Sequence, residues 1–157
     1  MTPAINILKK KKVTYTVHSY QHDSDHASYG LEAVEKLALN PDQVFKTLVA
    51  SLDDGSLAVA IIPVAHKLNM KLLAKAAGSK KAAMADKAIV EKTTGYVLGG
   101  VSPLGQKKQL KTYIDASAAE LSSMFVSGGK RGLEIELAPQ DLATLTRATF
   151  AEICQHE

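Results

Sequence analysis

Residues 44–52 (Val-Phe-Lys-Thr-Leu-Val-Ala-Ser-Leu) and Leu57–Pro63 are two apolar runs of strand length, separated by Asp53-Asp54-Gly55-Ser56. Aliphatic, β-branched runs bounded by such a turn predict a β-hairpin. A hairpin commits its strands to antiparallel pairing, so a sheet built only of parallel strands is excluded. The discordant residue is Lys46. Among neighbours predicted to be buried, it either points outward on the polar face or projects into a cleft. In a cleft, partial desolvation would make it a fixed cation suited to a carbonyl oxygen or a phosphate.

Helices and shorter strands surround the hairpin. Thr2 as cap and Pro3 at the first helical position start a helix that ends in Lys9 to Lys12, where the helix dipole favours cations. Residues 14–18 alternate in strand fashion, and residues 30–39 place Leu31, Val34, Leu37 and Ala38 at helical spacing. Asn69 caps a helix over 70–77 that Gly78 ends. Residues 81–85 predict a short strand, and Asp86 begins a helix reaching Thr93. Residues 112–114 predict a strand and 117–121 a helical turn. Residues 123–127 and Leu133–Leu137 predict a second hairpin around Ser127-Gly128-Gly129-Lys130-Arg131-Gly132. Pro139 opens a last helix over 140–147, and 150–154 form a final strand or tail. The mixture predicts an α/β (mixed α+β) fold: one domain over residues 1–157, with a curved, barrel-like, antiparallel-rich mixed sheet flanked by helices. A doubly wound parallel sheet is disfavoured, because no glycine-rich phosphate loop follows a first strand.

Several function classes drop out. Cys154 is the sole cysteine, so an intrachain disulfide is excluded and a reducing, cytoplasmic setting is expected. Close to the C-terminus, it is a poor nucleophile candidate. No run approaches the roughly 20 apolar residues of a membrane span, and the first residues do not read as a signal peptide. His18, His22 and His26 recur at four-residue spacing, with Asp23 and Asp25 between them. That segment lacks an apolar stripe, and no cysteine or glutamate completes a ligand set nearby. The expectation is a solvated loop, no metal and no cofactor.

Charge is segregated. Residues 67–111 hold ten lysines against Asp86 and Glu91, a balance of +8, which leaves −5 for the rest of a chain of net charge +3. Such a segment suggests a polyanionic partner, with Lys71, Lys75, Lys80, Lys81, Lys107 and Lys108 as phosphate contacts. Within it lies 93–108, too apolar at its start for a linker and too broken for a helix. Gly99, Gly100 and Gly105 permit unusual backbone angles and close approach of a ligand, Val101 and Ser102 stand between them, and lysines follow at once. Residues 127–132, with Ser127, Gly128, Gly129, Lys130 and Arg131, repeat that chemistry as a second candidate anion cradle. There is no Gly-x-Ser-x-Gly elbow, Walker motif or His-Glu-x-x-His. An enzyme with this chain would work by positioning and electrostatics on an activated substrate.

Phe45-Lys46-Thr47-Leu48, Gly99-Gly100-Val101-Ser102-Pro103-Leu104-Gly105, and Ser127-Gly128-Gly129-Lys130-Arg131-Gly132-Leu133 with Ala138-Pro139-Gln140-Asp141-Leu142 occur in that order. Together they resemble the YbaK-type Cys-tRNA(Pro) deacylases, whose superfamily also supplies the editing domain inserted in bacterial prolyl-tRNA synthetases. The resemblance spans essentially the whole chain. It implies a free-standing hydrolase that clears cysteine from proline tRNA, with Lys46 as the central functional residue. It sets Tyr20 and the 99–105 loop around the same pocket, with Ser127 to Gly129 on the opposite wall. It also implies attack by the substrate's own thiol on its ester, forming a cyclic thioester without a protein nucleophile. Prolyl-tRNA synthetase is implied as a partner; DNA and membranes are not. Relatives that act on alanine share much of the pattern, so Ala-tRNA(Pro) is the alternative substrate. A non-catalytic tRNA- or nucleotide-binding module, or a hydrolase of another activated ester or thioester, is the competing class.

Overall fold

The computed structural model describes residues 1–23 and 29–155. The first half of the chain forms α1 (Pro3–Lys11), β1 (Tyr15–Ser19), α2 (Tyr29–Leu37), β2 (Phe45–Leu52), β3 (Leu57–Pro63), β4 (Lys67–Leu68), α3 (Met70–Ala76) and β5 (Ala82–Met84). The second half forms α4 (Lys87–Thr94), β6 (Lys111–Asp115), a 3₁₀ turn (Ala116–Glu120), β7 (Met124–Ser127), β8 (Leu133–Leu137), α5 (Pro139–Thr146), β9 (Thr149–Ala151) and β10 (Cys154–Gln155). The helix starts are those the caps dictate: Thr2, Asn69 and Asp86 each accept a backbone N–H of the following first turn.

The predicted hairpin is central. β2 and β3 pair antiparallel, β5 joins β2 antiparallel, and β6 and β9 extend the other side in parallel, giving the order β5-β2-β3-β6-β9. Strand alternation divides the core in two. Phe45, Val49, Val59 and Ile61 pack with Leu8 of α1 on one face, and Ala50, Ala58, Ala60 and Ile62 pack with Leu73 of α3 on the other. Lys46 has the parity of Leu48 and Ala50, and so belongs to the α3 face.

A second, three-stranded antiparallel sheet has the order β1-β8-β7. Its Met124, Val126, Ile135 and Leu137 enter the α1 core, while Phe125 and Tyr20 on its other face meet Ala33 and Val34 of α2. One bridge, Val44 to Phe125, links the two sheets. A two-stranded ribbon, β10-β4, completes the ladders. The strands are therefore divided among three sheets, and no ladder closes into a barrel among the described residues.

The C-terminal segment departs from the expectation of one strand or a loose tail. Ile153, fully buried, separates β9 from β10, and its N–H donates to Asp115 Oδ1 at 3.2 Å. Cys154 is 2% exposed. Burial, reinforced by Asp115, pushes its thiol up to about 12, so it is a packing residue. Among the described residues, no helix is long and apolar enough to cross a membrane.

Candidate active site

A cavity of about 400 Å³ opens between the sheets. Its floor is the start of β2, Phe45 to Leu48. Tyr20, Ser127 and Glu134 of the three-stranded side form one wall; Leu98, Gly99 and Val101 form another; Met84, Lys130 and Arg131 complete it.

Lys46 projects into this cavity, which settles the two orientations open in the sequence. Being on a paired strand, it is held more firmly than a loop lysine would be. Burial holds its ammonium below the ordinary lysine value; Cys154 opposes that shift and Lys67 reinforces it. Thr47 lines the same cavity, and its buried hydroxyl has no hydrogen-bond partner among the described residues. Tyr20 anchors its wall by donating its N–H to the Gly132 carbonyl at 2.9 Å. Burial, and then Glu134, raise its phenol.

Of the residues expected at a site, Lys46, Tyr20, Gly99, Val101, Ser127, Lys130 and Arg131 meet at this cavity, and the others do not line it. Ser102 is fully buried, and its hydroxyl accepts the Leu104 N–H at 3.2 Å within its own loop. The close approaches the glycines permit are made by protein. A Cβ on Gly100 would lie 2.8 Å from Lys130 Cα, one on Gly105 2.6 Å from the Pro3 carbonyl, one on Gly128 2.7 Å from Leu133, and one on Gly129 2.8 Å from the Tyr96 ring. These glycines build the cavity by letting the two loops and the start of α1 touch.

The lysines split into groups. Lys71 and Lys75 are exposed on α3, over the sheet face that carries Lys46, and Lys80 and Lys81 precede the edge strand β5. Lys107 and Lys108 instead close the loop back onto α4, through N–H bonds to Thr94 and Thr93, and Lys108 lines a separate cleft with Asp54 and Asp86.

The histidines do not converge. His18 contacts Glu136 at 2.9 Å and His22 contacts the fully buried Glu32 at 2.7 Å, while His26 lies outside the described residues. No metal-binding group occurs among the described residues. Sequence reasoning missed Glu134. In Leu-Glu-Ile-Glu-Leu it reads as half of a solvent-facing polar stripe, yet it is 8% exposed and lines the cavity. Burial pushes its carboxyl up to about 8.

A desolvated lysine and a hydroxyl without a partner among the described residues meet in a cavity whose described lining holds no cysteine or histidine, an arrangement that suits a carbonyl oxygen. A solved structure named "putative trans-editing enzyme for prolyl tRNA synthetase" shares this chain's fold, with a TM-score of 0.84 at 19% identity over 99% of both chains. The aminoacyl-tRNA editing domain profile matches residues 26–145, and the chain belongs to that family. It is 41% identical to the "Putative Cys-tRNA(Pro)/Cys-tRNA(Cys) deacylase EbsC" of Enterococcus faecalis, over 99% of this chain and 94% of the relative. It is also 24% identical to an uncharacterized protein, YwhH, of Bacillus subtilis, over 79% of each.

Proposed function

We propose that this protein is a cytoplasmic, single-domain hydrolase that removes cysteine from mischarged Cys-tRNA(Pro). The observation that carries the reading is Lys46: a partly desolvated cation on a firm strand, facing a cavity whose described lining holds no cysteine or histidine. Membership of the editing family supplies the class of reaction, and the similarity to the E. faecalis protein supports cysteine as the amino acid.

An aminoacyl ester is already activated, so one cation and backbone amides suffice to stabilise the charge that develops on its carbonyl oxygen. Lys46 faces that oxygen. The substrate's thiol then attacks its own carbonyl carbon. A carbon–sulfur bond forms, the ester carbon–oxygen bond breaks, and the ribose oxygen leaves with the thiol proton. Water opens the cyclic thioester. Proline and serine have no such sulfur, which gives selectivity without a second sieve. Lys71, Lys75, Lys80, Lys81, Lys130 and Arg131 would hold the acceptor stem through phosphates, adding affinity with little sequence readout. Discrimination among tRNAs then falls to a partner such as prolyl-tRNA synthetase.

The test is deacylation of cysteinyl-, alanyl- and prolyl-tRNA(Pro) by wild-type protein and Lys46→Ala. The expected outcome is release of cysteine alone, reduced at least about 100-fold in kcat/KM in the variant with tRNA affinity changed far less. Faster release of alanine would move the substrate. Equal losses of binding and turnover would favour a binding module.

A further inference from the structure

Among the described residues, Glu134 is the carboxylate lining the cavity, and it makes no hydrogen bond or ion pair there. Two residues along the same strand face, Glu136 accepts from Ser123 Oγ at 2.7 Å and contacts His18 at 2.9 Å. Glu32, on the neighbouring α2, is held by His22 and by the Asp23 N–H, both at 2.7 Å. Asp115 accepts from Ser117 and from the Ile153 N–H. Glu134 is as buried as these groups require, yet it makes no hydrogen bond or ion pair among the described residues. Lys46, Lys130 and Arg131 line the same cavity without forming an ion pair with it. The Glu134 oxygens are not sealed off from solvent but open to the cavity, so a bound ligand can reach them and take the place of water.

The group best suited to it is a cation, which favours the ionised carboxyl that burial alone disfavours. An aminoacyl ester offers one cation, the α-ammonium, attached to the carbon next to the reacting carbonyl. Lys46 and Glu134 belong to different strands around the one cavity, so the carbonyl oxygen and the ammonium would each have a separate partner there.

We propose that Glu134 binds the free α-amino group of the aminoacyl ester, and that the enzyme therefore rejects N-acylated aminoacyl-tRNA. This rests on the deacylase reading above. Because burial brings the carboxyl to about 8, near the value of roughly 8 for an α-amine, carboxyl and amine would share a single proton between them. Peptidyl-tRNA has an uncharged amide nitrogen there, which keeps one N–H but supplies no cation and no titrating proton to share with the carboxyl. The site would thus spare the tRNA-linked chains of the ribosome without contacting anything beyond the first residue.

The test compares Cys-tRNA(Pro) with N-acetyl-Cys-tRNA(Pro) on wild-type protein and on Glu134→Gln, which keeps the side chain's shape. Cooperative urea unfolding of the variant serves as the folding control. N-acetylation should lower wild-type kcat/KM about 100-fold, as expected for losing one partner of a buried charged pair. In the variant the two substrates should differ by less than about 5-fold, so that the double-mutant cycle shows strong coupling. Equal cleavage of both substrates by wild type, or an undiminished N-acetyl penalty in the variant, overturns the proposal. The same four pairings are measured by filter binding with amide-linked, uncleavable Cys-tRNA(Pro) and its N-acetyl form. If wild type cleaves neither ester, the hydrolase reading fails. The binding data then decide the proposal separately: a wild-type preference for the free amine that Glu134→Gln abolishes upholds it, and equal affinities overturn it.

Discussion

Replacing Glu134 by Gln should stabilise the ligand-free protein at high pH and leave it unchanged at low pH. The carboxyl titrates at 4.5 when unperturbed and at about 8 in the fold, because burial in the cavity wall disfavours its charge. The folded state therefore holds a proton that the unfolded chain has already released. Linkage fixes the sign: stability is greatest below about pH 4.5, falls as pH rises between the two values, and levels off above about 8. At about 1.4 kcal/mol per pH unit, the ceiling is roughly 5 kcal/mol. Water entering an open cavity relaxes part of that cost, so about 2–4 kcal/mol is expected. Glutamine has the same shape and never ionises. Carboxylates held low, such as Glu136 and Asp54, titrate alike in both proteins and cancel from the difference. The assay is urea unfolding of both proteins from pH 5 to 9. The two curves should lie closest at pH 5 and separate steadily to pH 8, with the variant more stable. Parallel curves, or a variant less stable at pH 9, would show that Glu134 is solvated or has found a partner, and the argument from its burial would fail.

Other outcomes follow from the same geometry. Gly100→Ala places a Cβ 2.8 Å from the Lys130 backbone, so the two loops must separate; unfolding should show a loss of about 1–3 kcal/mol, with turnover falling as well. Lys71→Ala with Lys75→Ala should weaken tRNA binding and reduce the slope of log K against log salt by about 1–2, leaving urea stability within about 0.5 kcal/mol; an unchanged slope would remove α3 from the RNA path.

The fold was legible where local chemistry decides it. The β2-β3 hairpin, the Thr2 and Asn69 caps and the Pro139 start can each be read from a few adjacent residues. Glu134 was not legible. The pattern Leu-Glu-Ile-Glu-Leu correctly separates two faces, but it cannot say that a covering layer, with Tyr20 and α2, lies over the polar one. Cys154 looked like part of a loose end because its burial depends on Leu68, its cross-strand neighbour 86 positions away. The glycine loops were legible as places of close approach. Whether a ligand or the chain itself makes the approach was not, since Gly105 meets Pro3 and Gly129 meets Thr2 only in the folded molecule. Lys46 stood out as a charge in an apolar strand, but its orientation required the cavity.

The seating of α1 beneath both loops sets an order of assembly. The Thr2 hydroxyl donates to the Gly128 carbonyl across 126 positions, and Gly105 rests on Pro3. Contacts that close such long loops have a high entropic threshold and form after local ones. The hairpin carrying Lys46 can be made early; the walls opposite it are completed last, when the two distant parts of the chain meet. Amide protons of 127–133 should accordingly exchange sooner than those of β2 and β3, and equal protection across both would show that they form as one cooperative unit. Lys46 would then be in place before the enclosure around it exists, and a partly folded chain would carry the cation without the walls.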